Sequence, residues 1–372
     1  MYDGNLKPSD LNEELLTKTL KDLREGLASG YGDEFGNYET NAVRTLKLNQ
    51  HLYRFSGAKT YQEIAKLNFF LKDKPSFEDF KREALKINQE YNKRHLETEY
   101  NTAKRSGVMS EKWVKYVEQK DVYPNLKYKT ANDSRVREQH RNQQDIIKPI
   151  NDVFWLSWYP PNDFGCRCYV TQTDEKVTEG IPKENPSPGF NNNVGVSNMI
   201  FDENEHPYFV FPASDTKKIK TSFEDLKLSN PDYQIAYKAK KSILEVSTWS
   251  DLKDFEINIK NAKLVVAHLS LDIKMRPHSE IKNLKNPEYS INDKIADLKI
   301  PIGKGYKNIL KKAAEQRCEY VVVSLELNNQ TLGEARHLMR NILKQKGVHP
   351  TIKTVIIISK QEKVYKYNRE EI

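Results

Sequence analysis

The stretch Trp155-Leu-Ser-Trp158-Tyr159-Pro160-Pro161-Asn162-Asp163-Phe164-Gly165-Cys166-Arg167-Cys168-Tyr169-Val170 decides how the first half of the chain is read. Two prolines fix φ and exclude a helix across them. Asn162, Asp163 and Gly165 are turn residues, and the flanking aromatics anchor the turn to a core. Two of the three cysteines of the chain follow, one residue apart. In a strand Cys166 and Cys168 face the same side, and a disulfide at this spacing is strained. They can share a metal ion with a third ligand, for which His140 is the candidate; the competing reading is a pair of small buried hydrophobes. The cofactor expectation here is a structural zinc ion.

The pattern Asp133-x-Arg135-x-x-x-x-His140, followed by Trp155-x-x-x-Tyr159-Pro-Pro-Asn-x-x-Gly-Cys-Arg-Cys168, resembles the minor head (head morphogenesis) proteins of Mu-like and SPP1-like tailed phages. The resemblance spans about 133–170 and extends upstream through a helical region. It implies a virion component at or near the portal, with portal and capsid proteins as partners. It implies no catalytic activity for this region.

Composition sets the outer bounds. A chain of 372 residues holds two or three domains. With 37% hydrophobic residues and 10% aromatics it is polar, yet too aromatic for a disordered chain. The net charge of +8 favours contact with nucleic acid or another acidic surface. Three cysteines do not build a disulfide scaffold, which points to a reducing compartment. Met1-Tyr-Asp-Gly-Asn-Leu-Lys7 lacks a signal-peptide pattern, and no apolar run approaches a membrane span, so no membrane contact is expected.

Residues 1–120 read as a helical arm. Leu11, Leu15, Leu16 and Leu20 recur on one helix face, with Ser9 or Asp10 as its cap, and Gly30, Gly32 and Gly36 punctuate. Thr60, with Glu63 three residues on, starts a further helix, and Pro75-Ser76 another that reaches about Arg105. From about 112 the pattern changes, and Glu111-Lys-Trp-Val-Lys-Tyr-Val117 and Lys127-Tyr-Lys-Thr130 look like strands. Residues 121–172 then form a small α+β module. Residues 173–249 read as linker and connecting segment, with Pro182, Pro186, Pro188, Gly189 and Asn191-Asn-Asn193.

Residues 250–372 read as a separate α+β domain with a mostly antiparallel sheet. Asn286-Pro-Glu-Tyr-Ser-Ile-Asn-Asp293-Lys-Ile-Ala-Asp297-Leu-Lys299 is a hairpin turning at Asn292-Asp293. Tyr320 to Leu327 and Thr354 to Ser359 are buried strands, Lys363 to Tyr367 an edge strand, and Thr331 to Lys346 a helix ended by Gly347. Leu264 to His268 is either a strand or a helix end. Asp297 and Lys299 share one face of the second hairpin strand. Lys285, His278 and His268 lie just upstream, so a carboxylate, lysines and histidines are available for phosphodiester chemistry.

Two mechanisms compete. In one, Glu288 and Asp297 hold a magnesium ion and Lys299 orients water. In the other, no metal is required: His268 or His278 moves protons, Lys285 and Lys299 stabilise charge, and Asp297 positions them. Lys282, Lys294, Lys304 and Lys307 are the candidate phosphate-backbone contacts. The bland reading is a surface strand with a salt bridge of little worth.

The run Lys285 to Lys299, a helix with Gln316, Val321-Val-Val-Ser-Leu325 and Val355-Ile-Ile-Ile358 resemble the C-terminal tRNase domains of contact-dependent inhibition toxins, of the barnase/EndoU/colicin E5-D/RelE-like group. That resemblance covers about 250–370. It implies a metal-independent ribonuclease with tRNA or other RNA as substrate and a cognate immunity protein as partner. The whole chain then reads as a head protein fused to a ribonuclease effector, present in the virion and in the host bacterial cytoplasm. The alternatives are a purely structural head protein with a basic nucleic-acid-binding C-terminal domain, and a metal-dependent DNase effector.

Overall fold

The computed structural model describes residues 7–73, 76–180, 184–345 and 347–372. The readings placed on Met1 to Leu6, Pro75, Pro182 and Lys346 lie outside the described residues. The chain divides into two compact units, Met1–Phe223 and Glu224–Ile372.

Four long helices dominate the first unit: α1 (Glu13–Tyr31), α2 (Ala42–Asp73), α3 (Phe77–Gln89) and α4 (Leu96–Glu118), the last two joined by a π-helical turn at Glu90–His95. The cap of α1 is Asn12, whose side chain accepts from the Leu15 amide, because Ser9 and Asp10 are taken up in a short 3-10 turn. α1 lies against α4 so closely that a methyl group at Gly30 would sit 1.8 Å from the Lys104 carbonyl oxygen, and one at Gly107 2.3 Å from that of Leu27. Only glycine permits this approach. Thr60 starts no helix; α2 runs straight through it, with Thr60 buried. Ser76 caps α3 as its sequence implies.

The expected strand at Glu111–Val117 is the end of α4. Its Trp113 meets Tyr159 edge-to-face at 4.9 Å, and a methyl at Gly195 would strike the same indole. Packing of that face overrides the β-leaning composition.

Behind the helices, β1 (Asn125–Lys129), β2 (Ile147–Pro149) and β3 (Tyr169–Thr173) form an antiparallel sheet in the order β2-β1-β3. The short helices α5 (Glu138–Arg141) and α6 (Phe154–Ser157) lie in its connections. Trp155, Trp158 and Tyr159 are buried, and the Tyr159 hydroxyl donates to the Met109 carbonyl at 2.8 Å. After α7 (Val194–Ser197), Phe201 stacks on Phe55 at 4.3 Å. The aromatic residues after 173 therefore pack onto this unit, as isolated apolar clusters in a connecting segment tend to do.

α8 (Ala213–Ser229) passes through the boundary between the units. The second unit is built on an eight-stranded mixed sheet. Its strands are β4 (Tyr233–Lys238), β5 (Ile243–Ser247), β6 (Ile273–Met275), β7 (Tyr289–Ile291), β8 (Lys294–Lys299), β9 (Tyr320–Ser324), β10 (Thr354–Ile358) and β11 (Val364–Asn368). They stand in simple order from β11 to β4. The β5–β6, β8–β9 and β9–β10 pairs are parallel and the rest antiparallel. Because β4 and β5 belong to this sheet, the compact unit starts at Glu224, ahead of the expected 250; the half-exposed pattern of β4 hides it in the sequence.

The hairpin of β7 and β8 turns on Asn292 and Asp293, both at positive φ (45° and 61°), as a two-residue primed turn requires. The apolar run at 264–268 belongs to α9 (Phe255–Leu269). α9 covers the sheet face that carries Tyr289, whose hydroxyl donates to the Asn258 carbonyl at 2.6 Å. α10 (Tyr306–Glu315) and α11 (Leu332–Leu343) cover the other face, over Val321, Val323, Val355 and Ile357. Thr331 caps α11 through a full capping box with Glu334.

Candidate functional site

Strand register assembles the candidate active site of the second unit. Tyr289 pairs with Ala296 across the hairpin, so the next positions outward, Glu288 and Asp297, come up opposite each other. The Arg276 amide donates to the Glu288 carbonyl at 2.8 Å, which extends the register to β6. Asp297 also pairs with Val321 of β9 and so lies on the face that α10 and α11 cover. Its side chain is fully buried.

The Lys299 ammonium contacts the Asp297 carboxylate, and Gln316, at the end of α10, donates its amide nitrogen to Asp297 Oδ2 at 2.9 Å. A carboxylate can only accept, so this bond fixes which way the Gln316 amide points. Burial pushes the Asp297 carboxyl above the ordinary aspartate value, against the pull of Lys299.

Three side-chain oxygens here are buried without a hydrogen-bond partner: Asp297 Oδ1, Glu288 Oε2 and Gln316 Oε1. Leaving a buried acceptor unsatisfied costs about 1–3 kcal/mol each. Oxygen donors of this kind, two of them carboxylate, suit a hard divalent cation such as Mg²⁺ or Mn²⁺.

The other expected residues fall elsewhere. His268 is exposed in the last turn of α9, on the sheet face opposite Asp297, and does not join the pair. His278 follows β6; its Nδ1 lies 3.5 Å from Asp251 Oδ2, and both line a small cleft with Arg276 and Glu288. Lys282 and Lys285 are exposed in the loop before β7. Lys294 is exposed at the start of β8, 3.8 Å from Glu319, and alternation puts it on the face opposite Lys299. Lys304 and Lys307 are exposed around the start of α10. Sequence reading assigned no role to Asp251, Arg276 or Gln316, which only tertiary structure brings to the site.

In the first unit the expected ligand trio does come together. His140, Cys166 and Cys168 are all buried, with His140 Nδ1 3.7 Å from Cys166 Sγ and 3.6 Å from Cys168 Sγ. Arg167, between the cysteines, turns outward to clasp Asp133 with two hydrogen bonds of 2.6 Å. These bonds hold the Asp133 carboxyl down to about 2. Arg137 adds an ion pair to Asp163 at 3.0 Å and donates to the Phe164 carbonyl.

Comparison with known proteins divides along the same line. Residues 58–171 match the family described as Phage Mu protein F like protein, and residues 285–364 match the contact-dependent growth inhibition CdiA C-terminal domain. Over 77 residues the chain is 32% identical to the putative capsid assembly protein F of Escherichia phage Mu, a match covering 21% of this chain and 18% of that protein. Over 86 residues it is 34% identical to the Mu-like prophage FluMu F protein of Haemophilus influenzae, covering 23% and 21%. The chain thus spans about a fifth of the length of these curated relatives. Among solved structures it is similar to the CdiA-CT/CdiI toxin and immunity complex from Burkholderia pseudomallei, at 20% identity and a TM-score of 0.22, covering 30% of this chain and 78% of that one. This protein carries a Mu F-like head-morphogenesis domain fused to a CdiA-type C-terminal toxin domain. No helix among its described residues is long and apolar enough to cross a membrane.

Proposed function

We propose that the protein is a phage minor head component whose C-terminal unit is an effector nuclease, cleaving tRNA or another structured RNA with the help of a divalent cation. The observation that carries the chemistry is the pair of unpartnered, buried oxygens of Asp297 and Gln316 at the Lys299 contact, with a third on Glu288, which the hairpin register sets opposite Asp297. Glu288 and Asp297 would hold the cation, with Gln316 beside them. When bound, such an ion polarises a phosphoryl oxygen and lowers the pKa of a water ligand. Lys299 keeps Asp297 ionised and offers positive charge where the transition state becomes more negative. Arg276, lining the cleft with Glu288, is placed to meet a phosphate.

The test is cleavage by the purified full chain. Transfer RNA is expected to be cut with Mg²⁺ or Mn²⁺ and left intact with EDTA, while duplex DNA survives both. Cleavage falls steeply with salt, because backbone contacts release counterions. Loss of tRNA cleavage with retained DNA cleavage would move the substrate class and leave the site standing.

Activity should also report the ionisation of Asp297, since only the carboxylate holds a cation. Burial raises its pKa, so the acid limb of the rate profile lies above the ordinary aspartate value of ~3.9. Lys299→Met removes the charge that lowers this pKa and therefore moves the limb to higher pH. An unmoved limb in that variant assigns the titration to another group.

A second reading rests on His278. Its pairing with Asp251 in the cleft is the arrangement of a base and its orienting carboxylate. Cleavage that survives EDTA but is lost in His278→Ala would establish a metal-independent ribonuclease instead.

We further propose that the first unit places the protein in the phage head, against portal and capsid proteins, and that the effector acts in the bacterial cytoplasm. The Mu F-like match over 58–171 supports the placement. Mass spectrometry of purified particles should find both units of the chain; absence from particles sinks the placement. A toxin domain of this kind calls for a cognate immunity protein in the producing cell.

A further inference from the structure

We propose that His140, Cys166 and Cys168 bind one zinc ion, which clasps the α5 segment to the turn that enters β3. This centre is independent of the nuclease reading. Zinc–sulfur bonds of ~2.3 Å and zinc–nitrogen bonds of ~2.0–2.1 Å place the donor atoms of a tetrahedral site roughly 3.5–3.8 Å apart. Here His140 Nδ1 lies 3.7 Å from one sulfur and 3.6 Å from the other, and all three donor atoms fall within 4.8 Å of one another. The separations are those of a shared ion.

The surroundings support a charged centre. The Cys168 amide donates to Cys166 Sγ at 3.4 Å, the kind of hydrogen bond that stabilises a thiolate. His140 Nε2 is buried without a partner among the described residues, so the ring nitrogen that has partners is Nδ1, which faces both sulfurs. All three cysteines of the chain are free, which leaves both sulfurs available as ligands. Two thiolates neutralise the ion, so the site can be buried without a net charge.

The fourth corner is not a side chain. Among the described residues no further histidine, cysteine or carboxylate joins these three. A cleft lined by Ala131, Val136 and Gly165 opens onto them, wide enough for a solvent oxygen. Zinc then closes a loop of chain between the two cysteines and His140 where little regular structure is present, parallel to the Asp133–Arg167 clasp on the outside.

The test uses the full chain. Elemental analysis after purification in zinc-containing medium should give about one zinc per chain. Cobalt substitution should show thiolate-to-cobalt charge transfer and the visible bands of a tetrahedral ion. X-ray absorption should resolve two sulfurs, one imidazole and one light atom. Cys166→Ser and His140→Ala should each reduce the zinc content to a small fraction of wild type. If either variant fails to fold, chelator competition on the wild type gives the affinity directly. Failure of the wild type to take up zinc in that competition, or full zinc retention in Cys166→Ser, would overturn the assignment and leave two buried thiols hydrogen-bonded to a histidine.

Discussion

Asp297→Asn is expected to leave the full chain folded and to lower nucleic-acid cleavage on the order of 10²–10⁴-fold. The site is isosteric after the change, and Gln316 and Lys299 retain an oxygen to bind. What would be lost is one negative oxygen of the proposed cation site. A bound divalent ion contributes several kcal/mol of charge stabilisation in such reactions, and each 1.36 kcal/mol is a factor of ten in rate. On the proposed reading Glu288→Gln should behave alike, because its unpartnered oxygen would serve the same ion. Measured under saturating substrate, the loss should fall on kcat with KM little changed, since neither carboxylate is positioned to attract RNA. Wild-type rates in both variants would show that cleavage takes place elsewhere on the unit.

The second large effect is on stability, and it lies in the first unit. Lys59, in the interior of α2, meets Glu99 of α4 at 2.5 Å, with side-chain exposures of only 1% and 3%. Tyr208 donates to the other oxygen of Glu99 at 2.9 Å, and His95 Nδ1 lies 3.1 Å from the same hydroxyl. Glu63 is close enough for Lys59 and Glu99 to act on it, and burial raises its carboxyl. Lys59→Met removes the cation and leaves Glu99 buried with no counter-charge, at a cost of about 3–5 kcal/mol. The double variant Lys59→Met with Glu99→Leu should recover much of that loss, because two apolar chains of similar volume replace the pair. Denaturant unfolding of the three proteins decides it. A single variant as stable as wild type would mean that solvent reaches the pair.

How much of this was legible in the sequence differs by element. Asn292-Asp293 between two alternating runs gave the hairpin, because a two-residue turn demands positive φ and these residues tolerate it. Tyr320 to Ser324 and Thr354 to Ile358 read as buried strands since both of their faces are covered. β4 carries no such signal: Tyr233 to Lys238 is an edge strand with no fully buried residue. Trp113, Val114, Tyr116 and Val117 misled because their residue types favour strands, while the segment continues α4 and Trp113 packs on Tyr159.

The candidate site follows the same logic. Alternation puts Asp297 and Lys299 on one face, and hairpin register then sets Glu288 opposite. Gln316 and Arg276 need the paths of α10 and β6, which no local pattern contains. His268 was misplaced because an apolar run of five residues does not reveal which side of a sheet its end will occupy. The trio His140, Cys166 and Cys168 was legible in part, through alternation across Arg167 and the scarcity of cysteine.

The sheet of the second unit is open, so among the described residues its outermost strands, β4 and β11, have no strand neighbour on their outer sides. Such an edge is a template for a strand of another chain. Each border is blunted in its own way. β4 carries a register irregularity between Ile235 and Tyr237, which breaks the regular ladder. β11 is only five residues long and carries Lys366, with Lys363 just before it. Wherever copies of this chain are held side by side, these two devices oppose edge-to-edge zippering. The copies can then remain separate molecules at a local concentration that would drive a flat, uncharged sheet into fibres.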